Sequence, residues 1–118
     1  MKITIPVSVG ELIDKITILQ IKSMFTNDEY VTKELEELKV AKSAITQYTL
    51  EYEVKLREVN ETLWKLEDRI RQKEKLQEFD NEFIELARQI YITNDLRASI
   101  KKEINQLTNS SYKEVKVY

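Results

Sequence analysis

"KSAITQYTLEYE", residues 42–53, is the stretch on which the fold turns. On either side of it apolar side chains recur at helical spacing, as Val31, Leu35, Leu38, Ile45, Tyr52, Leu56, Val59, Leu63, Leu66 and Ile70. Lys42 and Thr49 stand where that seam calls for apolar groups. Two structures produce such a pattern. One is a single long helix over residues 29–78. The other is a helical hairpin with its turn in Ile45–Thr49, where β-branched residues and a threonine able to cap a new helix weaken the first. The unbroken phase favours the long helix and ordinary helix length favours the hairpin, so both stay open.

Toward the N-terminus the signals are sharper. Ser8 followed three residues later by Glu11 is a capping box, with Val7 and Leu12 as its hydrophobic staple, so a helix starts here and runs to about Phe25. Its seam is Val9, Leu12, Ile16 and Leu19, but Ile13, Ile18, Ile21, Met24 and Phe25 spread apolar surface around the cylinder, and only Glu11, Lys15 and Lys22 form a polar strip. Such a helix is covered on more than one side, by neighbouring helices or by another subunit. Thr26 and Glu29 repeat the capping box with Phe25 and Tyr30 as staple, which predicts a second helix antiparallel to the first. Toward the C-terminus, Asp80 caps a last helix that runs to about Leu107, with Phe79 and Ile84 as staple.

Both ends of the chain alternate. Lys2–Val7 puts Ile3, Ile5 and Val7 on one face, and Tyr112–Tyr118 alternates around Val115 and Val117, so each reads as a short strand. The expected fold is therefore all-α: an antiparallel helical bundle of four helices, or three with one very long central helix. A short two-stranded pairing of the N- and C-terminal segments closes one end of it. Residues 1–118 read as a single helical-bundle domain.

Composition narrows the chemistry. The 118 residues include one glycine, one proline, no cysteine and no histidine. Disulfides, thiolate nucleophiles, imidazole acid-base catalysis and the usual zinc ligands are excluded together. Nineteen basic and twenty-one acidic side chains give a net charge of −2, which does not favour nucleic acid or an acidic membrane surface. No stretch approaches the roughly twenty apolar residues that span a bilayer, and the expected location is the cytoplasm.

A polar set interrupts the helical seams. In the last helix the seam Leu86, Ile90, Thr93, Arg97, Ile100, Ile104, Leu107 contains an arginine. One position round from the seam of the preceding segment lies a stripe of Asn60, Trp64, Glu67 and Arg71. With a rise of about 1.5 Å per residue, Lys15, Asn60, Trp64, Asn94, Arg97 and Lys101 fall at similar heights in a four-helix bundle, with Asp14 just below and Glu67 just above. A buried guanidinium needs a partner, and Glu67, Asp68, Asp14 and Asp95 are the candidates; if cations outnumber acids, a ligand's phosphate or carboxylate completes the set. Each piece alone has a plainer reading. Arg97 snorkels to solvent, Trp64 is core, and Glu11 with Lys15 is an i,i+4 pair. The run Glu34, Glu36, Glu37 is a solvated face, and Gly10 marks close helix packing rather than an anion site.

Three long motifs, "SVGELIDKITILQIK", "VNETLWKLEDRIR" and "FIELARQIYITNDLRASIKKEIN", resemble an uncharacterised family of small helical proteins of bacteria and phages. The resemblance covers the first helix and everything from about Leu56 to Asn105. The family pattern carries over to Glu11, Asp14, Lys15, Lys22, Asn60, Trp64, Glu67, Asp68, Arg71, Arg88, Tyr91, Asn94, Asp95, Arg97 and Lys101. It implies a shared site and no established activity.

The functional expectation is a non-catalytic binding protein, a cytoplasmic homodimer formed through the apolar faces of helix one or two. It holds a small anionic or nucleotide-like ligand between helices, with Lys15, Asn60, Trp64, Glu67, Arg71, Tyr91, Asn94, Arg97 and Lys101 as ligand-binding residues. No catalytic residue, metal or cofactor is assigned, and neither nucleic acid nor membrane is a partner. Two alternatives stand beside it. One is a small all-α enzyme acting by electrostatics, or through Mg²⁺ held by Glu11, Asp14, Glu67, Asp68 and Asp95. The other is a purely structural interaction module in which the polar residues set helix register.

Overall fold

A computed structural model describes all residues from Met1 to Tyr118. It contains four helices, α1 (Val9–Ser23), α2 (Glu29–Lys42), α3 (Leu50–Lys75) and α4 (Asn81–Leu107). The stretch at 42–53 is thus a break, and the hairpin replaces the long helix. Ser43 ends α2, and Thr49 starts α3 with φ −115° and ψ 0°. The Thr49 hydroxyl caps no amide; it donates to Glu53 Oε2 at 2.8 Å, and Lys42 also pairs with Glu53. Glu53 therefore ties the two helix ends together, and Ile45 folds onto the core from the turn. The seam keeps its phase across the break because Ile45 and Tyr52 both pack on that core, one from the turn and one from α3.

α1 is the central element. It packs against α2, α3 and α4, whereas α2 packs along α1 alone and reaches α3 only through the Lys42–Glu53 pair. This explains why its sequence is apolar all round: Ile13, Ile16, Leu19 and Ile21 are each at most 3% exposed. The core gathers Ile13 of α1, Leu56 and Val59 of α3, and Ile100 and Ile104 of α4. α2 buries no residue completely.

The helix starts at Ser8 and Asp80 form as read: Ser8 Oγ accepts from the Glu11 amide at 3.1 Å, and Asp80 Oδ1 accepts from the Phe83 amide at 3.0 Å. At α2 the cap differs. Asp28 is the capping residue, bonding the Tyr30 amide at 2.9 Å, and Thr26 instead accepts from the Asp28 amide. A carboxylate next to the helix start competes better for that amide than a hydroxyl two residues earlier.

Both long helices end in a Schellman turn. Gln77 (φ 53°) lets the Glu78 amide reach the Lys73 carbonyl at 3.0 Å, and Asn109 (φ 49°) lets the Ser110 amide reach the Asn105 carbonyl at 2.9 Å. The second turn also seats α1. Asn105 Oδ1 accepts from the Gly10 amide at 2.7 Å and Ser110 Oγ from the Val9 amide at 3.0 Å, so two of the orphan donors at the start of α1 are satisfied from the end of α4. Only a glycine allows this approach, since a Cβ at residue 10 would stand 2.7 Å from the Lys101 carbonyl oxygen.

The expected two-stranded pairing does not form. There is no strand, and no backbone hydrogen bond joins residues 1–7 to residues 111–118. The two segments leave the bundle beside each other at Ser8 and Ser110, but Ile3, Ile5, Val115 and Val117 remain exposed. Alternation gives each segment an apolar face, but in this chain neither face has anything to pack on. No helix is long and apolar enough to cross a membrane.

Candidate functional site

Asp14 on α1 organises the polar centre. Its side chain is 1% exposed and would be prohibitively desolvated if left alone. It receives a two-pronged bond from Arg97 on α4, with Nε at 2.9 Å from Oδ1 and Nη2 on Oδ2. Asn60 on α3 completes the set, donating from Nδ2 to Asp14 Oδ1 and to Thr17 Oγ1, both at 2.9 Å. The Thr17 hydroxyl in turn donates to the Asp14 carbonyl at 2.7 Å. Three helices are cross-linked through one carboxylate. The Asp14 carboxylate also holds the Arg97 proton more firmly than usual, its hydrogen bond outweighing the opposing effect of burial.

Among the four acids that sequence spacing offers to Arg97, Asp14 is thus the partner. One turn further along α4, Lys101 is 6% exposed and bonds Glu11 Oε2 at 2.7 Å, with Glu114 at 3.3 Å and Asp14 at 3.8 Å. Glu114 is held below the usual carboxylate range, chiefly by Lys116 and also by Lys101.

Above this network opens a cleft of about 500 Å³ between α1, α3 and α4, lined by Ile18, Ile21, Asn60, Leu63, Trp64, Glu67, Asp68, Arg71, Asn94 and Arg97. Six of the nine residues singled out for ligand binding meet here: Asn60, Trp64, Glu67, Arg71, Asn94 and Arg97. The Trp64 ring is fixed by parallel stacking on Phe25, with centroids 5.3 Å apart and planes 6° from parallel. Arg97 commits Nε and Nη2 to Asp14 and leaves Nη1 free. A second cleft of about 720 Å³ lies between α4 and the C-terminal segment; Tyr91 and Lys101 line it, and Asn94 and Arg97 border both clefts.

Lys15 belongs to neither. It points to α2 and pairs with Glu34 at 2.8 Å, largely in solvent. Height along the bundle places Lys15 beside Asp14, but successive helical residues are rotated by about 100°, so only one of the two can face α4. The expected surplus of cations is absent as well. Arg71 and Arg97 face Glu67 and Asp68 in the cleft, with Asp14 behind them. The acids considered for Mg²⁺ are spread over several partners: Glu11 with Lys101, Asp14 with Arg97, Glu67 with Arg71 and Asp68 with Gln72. No three acidic side chains come together in a way that could hold a metal ion.

Thr17, Asn105 and Ser110 are structural partners of this centre that sequence spacing did not single out. Asn105 carried a signal, since it continues the four-residue spacing of Arg97 and Lys101. Ser110 lies beyond the helix and carried none.

No curated protein and no solved structure matches the chain. A family model matches all of it, and the chain, residues 1–118, belongs to that family, a family of unknown function (DUF6165).

Proposed function

We propose that this chain is a non-catalytic binding protein that holds a small, planar, polar molecule in the cleft between α1, α3 and α4. The observation that carries the reading is the wall-and-edge arrangement of the cleft. Ile18, Ile21, Leu63 and Trp64 supply apolar contact, while Asn60, Asn94 and the uncommitted Nη1 of Arg97 supply directional hydrogen bonds. Its volume of about 500 Å³ falls within the range of small-molecule sites. Asp14 preorganises Arg97, so little side-chain entropy is lost on binding.

Charge narrows the ligand. Two arginines against Glu67 and Asp68, with Asp14 already pairing Arg97, leave the cleft without surplus positive charge. It can therefore take a carbonyl or a single carboxylate oxygen on the free Nη1 of Arg97 but repels a polyphosphate. A nucleobase, a nucleoside or a planar carboxylic acid fits this balance, and a nucleoside triphosphate does not.

The chain has one tryptophan, and it lines the cleft, so its emission reports binding directly. Titration with nucleosides and aromatic carboxylic acids should change Trp64 fluorescence saturably for at least one member of the panel. Asn94→Asp, at an exposed position, should weaken a carboxylate ligand about tenfold or more by adding a like charge. No saturable change with any member at millimolar concentration overturns the reading.

A further inference from the structure

The upper halves of α3 and α4 form an arm that nothing covers. α1 has 15 residues and α3 and α4 have 26 and 27, so at about 1.5 Å per residue the pair runs nearly twice as far as the helix packed between them. Beyond Asn60 on α3 and before Ile100 on α4 the only fully buried side chain is Lys73. The seam residues Leu66, Ile70, Phe83, Leu86 and Ile90 are half-buried, and Leu76, Phe79, Ile84 and Tyr91 are more than half exposed. Two helices alone do not enclose a core.

Surface area states the same point. A folded monomer of 14.1 kDa exposes about 6,700 Å² by the usual scaling, and this chain exposes 8597 Å². The excess, about 1,900 Å², is more than twice what one partner buries in a standard interface; the extended terminal segments and the peripheral α2 share it with the arm. The radius of gyration, 16.0 Å against about 13.5 Å for a compact domain of this length, agrees.

We infer that the arm is the interface between two copies of this chain, packed as a four-helix bundle about a two-fold axis parallel to α3 and α4. Charge identifies the second copy as the occupant. Residues 65–75 of α3 carry five basic and three acidic side chains, and residues 81–95 of α4 carry one basic and three acidic. A two-fold parallel to the helices sets α3 of each copy beside, and antiparallel to, α4 of the other, so the basic helix meets the acidic one twice. This moves the interface from where sequence reading put it. α1 is already covered on its apolar sides, and α2 offers only scattered exposed groups, Tyr30 and Val40.

Sedimentation of the full chain should give twice 14.1 kDa at micromolar concentration. The double variant Ile84→Glu with Tyr91→Glu changes side chains exposed in the single chain, so its helicity should be retained by circular dichroism while self-association weakens at least about a hundredfold. Tyr30→Glu on α2 should leave the dimer intact. The chain lacks cysteine, so a single introduced thiol reports proximity without background. Arg88→Cys, midway along the arm's α4 face, should be joined into a dimer by a short bis-maleimide faster than Glu36→Cys on α2. A wild-type chain that stays monomeric at millimolar concentration overturns the inference. So does a dimer broken by Y30E but not by I84E/Y91E, or one in which E36C cross-links at least as fast as R88C.

Discussion

Arg97→Met should be among the most damaging substitutions in this chain, and its size can be worked from the geometry. The change strands Asp14, 1% exposed, without its two-pronged partner. Leaving one member of a buried ion pair unpaired costs about 3–5 kcal/mol. Asp14 keeps Asn60 at 2.9 Å and Lys101 at 3.8 Å, which places the loss at the lower end, about 3 kcal/mol. A domain of this size has about 5–15 kcal/mol in total, and about 4 °C of melting midpoint per kcal/mol gives a drop of about 12 °C. Asp14→Asn costs less, about 1–2 kcal/mol, because Arg97 is 28% exposed and can turn to water. In the double variant the stranded charge is gone, and the loss should fall to about 1 kcal/mol relative to wild type. Urea titration followed by far-ultraviolet circular dichroism on the four proteins measures this cycle. The reasoning fails if R97M lies within about 1 kcal/mol of wild type, or if the two single effects simply add.

Two further outcomes follow from other parts of the fold. Gly10→Ala should destabilise by about 2 kcal/mol in the same titration, because overpacking against the backbone Lys101 carbonyl, at the upper end of about 1–3 kcal/mol, exceeds the roughly 1 kcal/mol gained from helix propensity. At the α3–α4 turn, Asp80 is held below the usual carboxylate range by Lys73 and by the Phe83 amide, and Glu82 by Arg69 and then Lys73. Depressed carboxylates stabilise the folded state above their unfolded values and lose that contribution as pH falls through the folded ones. The melting midpoint should therefore hold steady above pH about 5 and fall below about 4, with a smaller fall in Asp80→Asn; a midpoint that rises in acid contradicts this.

What was legible in the chain was local. Ser8 and Asp80 announce helix starts because a cap, its staple and its first turn lie within five residues of one another. The break near Thr49 was ambiguous because its evidence is a missing apolar side chain, whereas its cause, Glu53 tying Lys42 to Thr49, is a side-chain network. The terminal segments alternate convincingly, but a ladder depends on partners far away in the chain, and alternation cannot reveal their absence. The site was half legible for a similar reason. Arg97 and Asn60 could be matched by height, but which neighbour on α1 faces them depends on rotation, so Lys15 was placed beside its true partner's position while Asp14 took the bond. The cleft's charge balance needed coordinates, because it depends on which acids turn inward.

The way α1 is seated has a bearing on how the protein is made. Its first amides take their acceptors from Asn105 and Ser110, ninety-five and one hundred and one positions later. Until those residues have left the ribosome, α1 lacks its cover from α4 and its first amides lack these acceptors. The seating of α1 must wait until Ser110 has been synthesised, and such distant closures are slow relative to local ones. The most apolar of the four helices is thus also the one that precedes the other three, and its last cover is the latest of them to arrive.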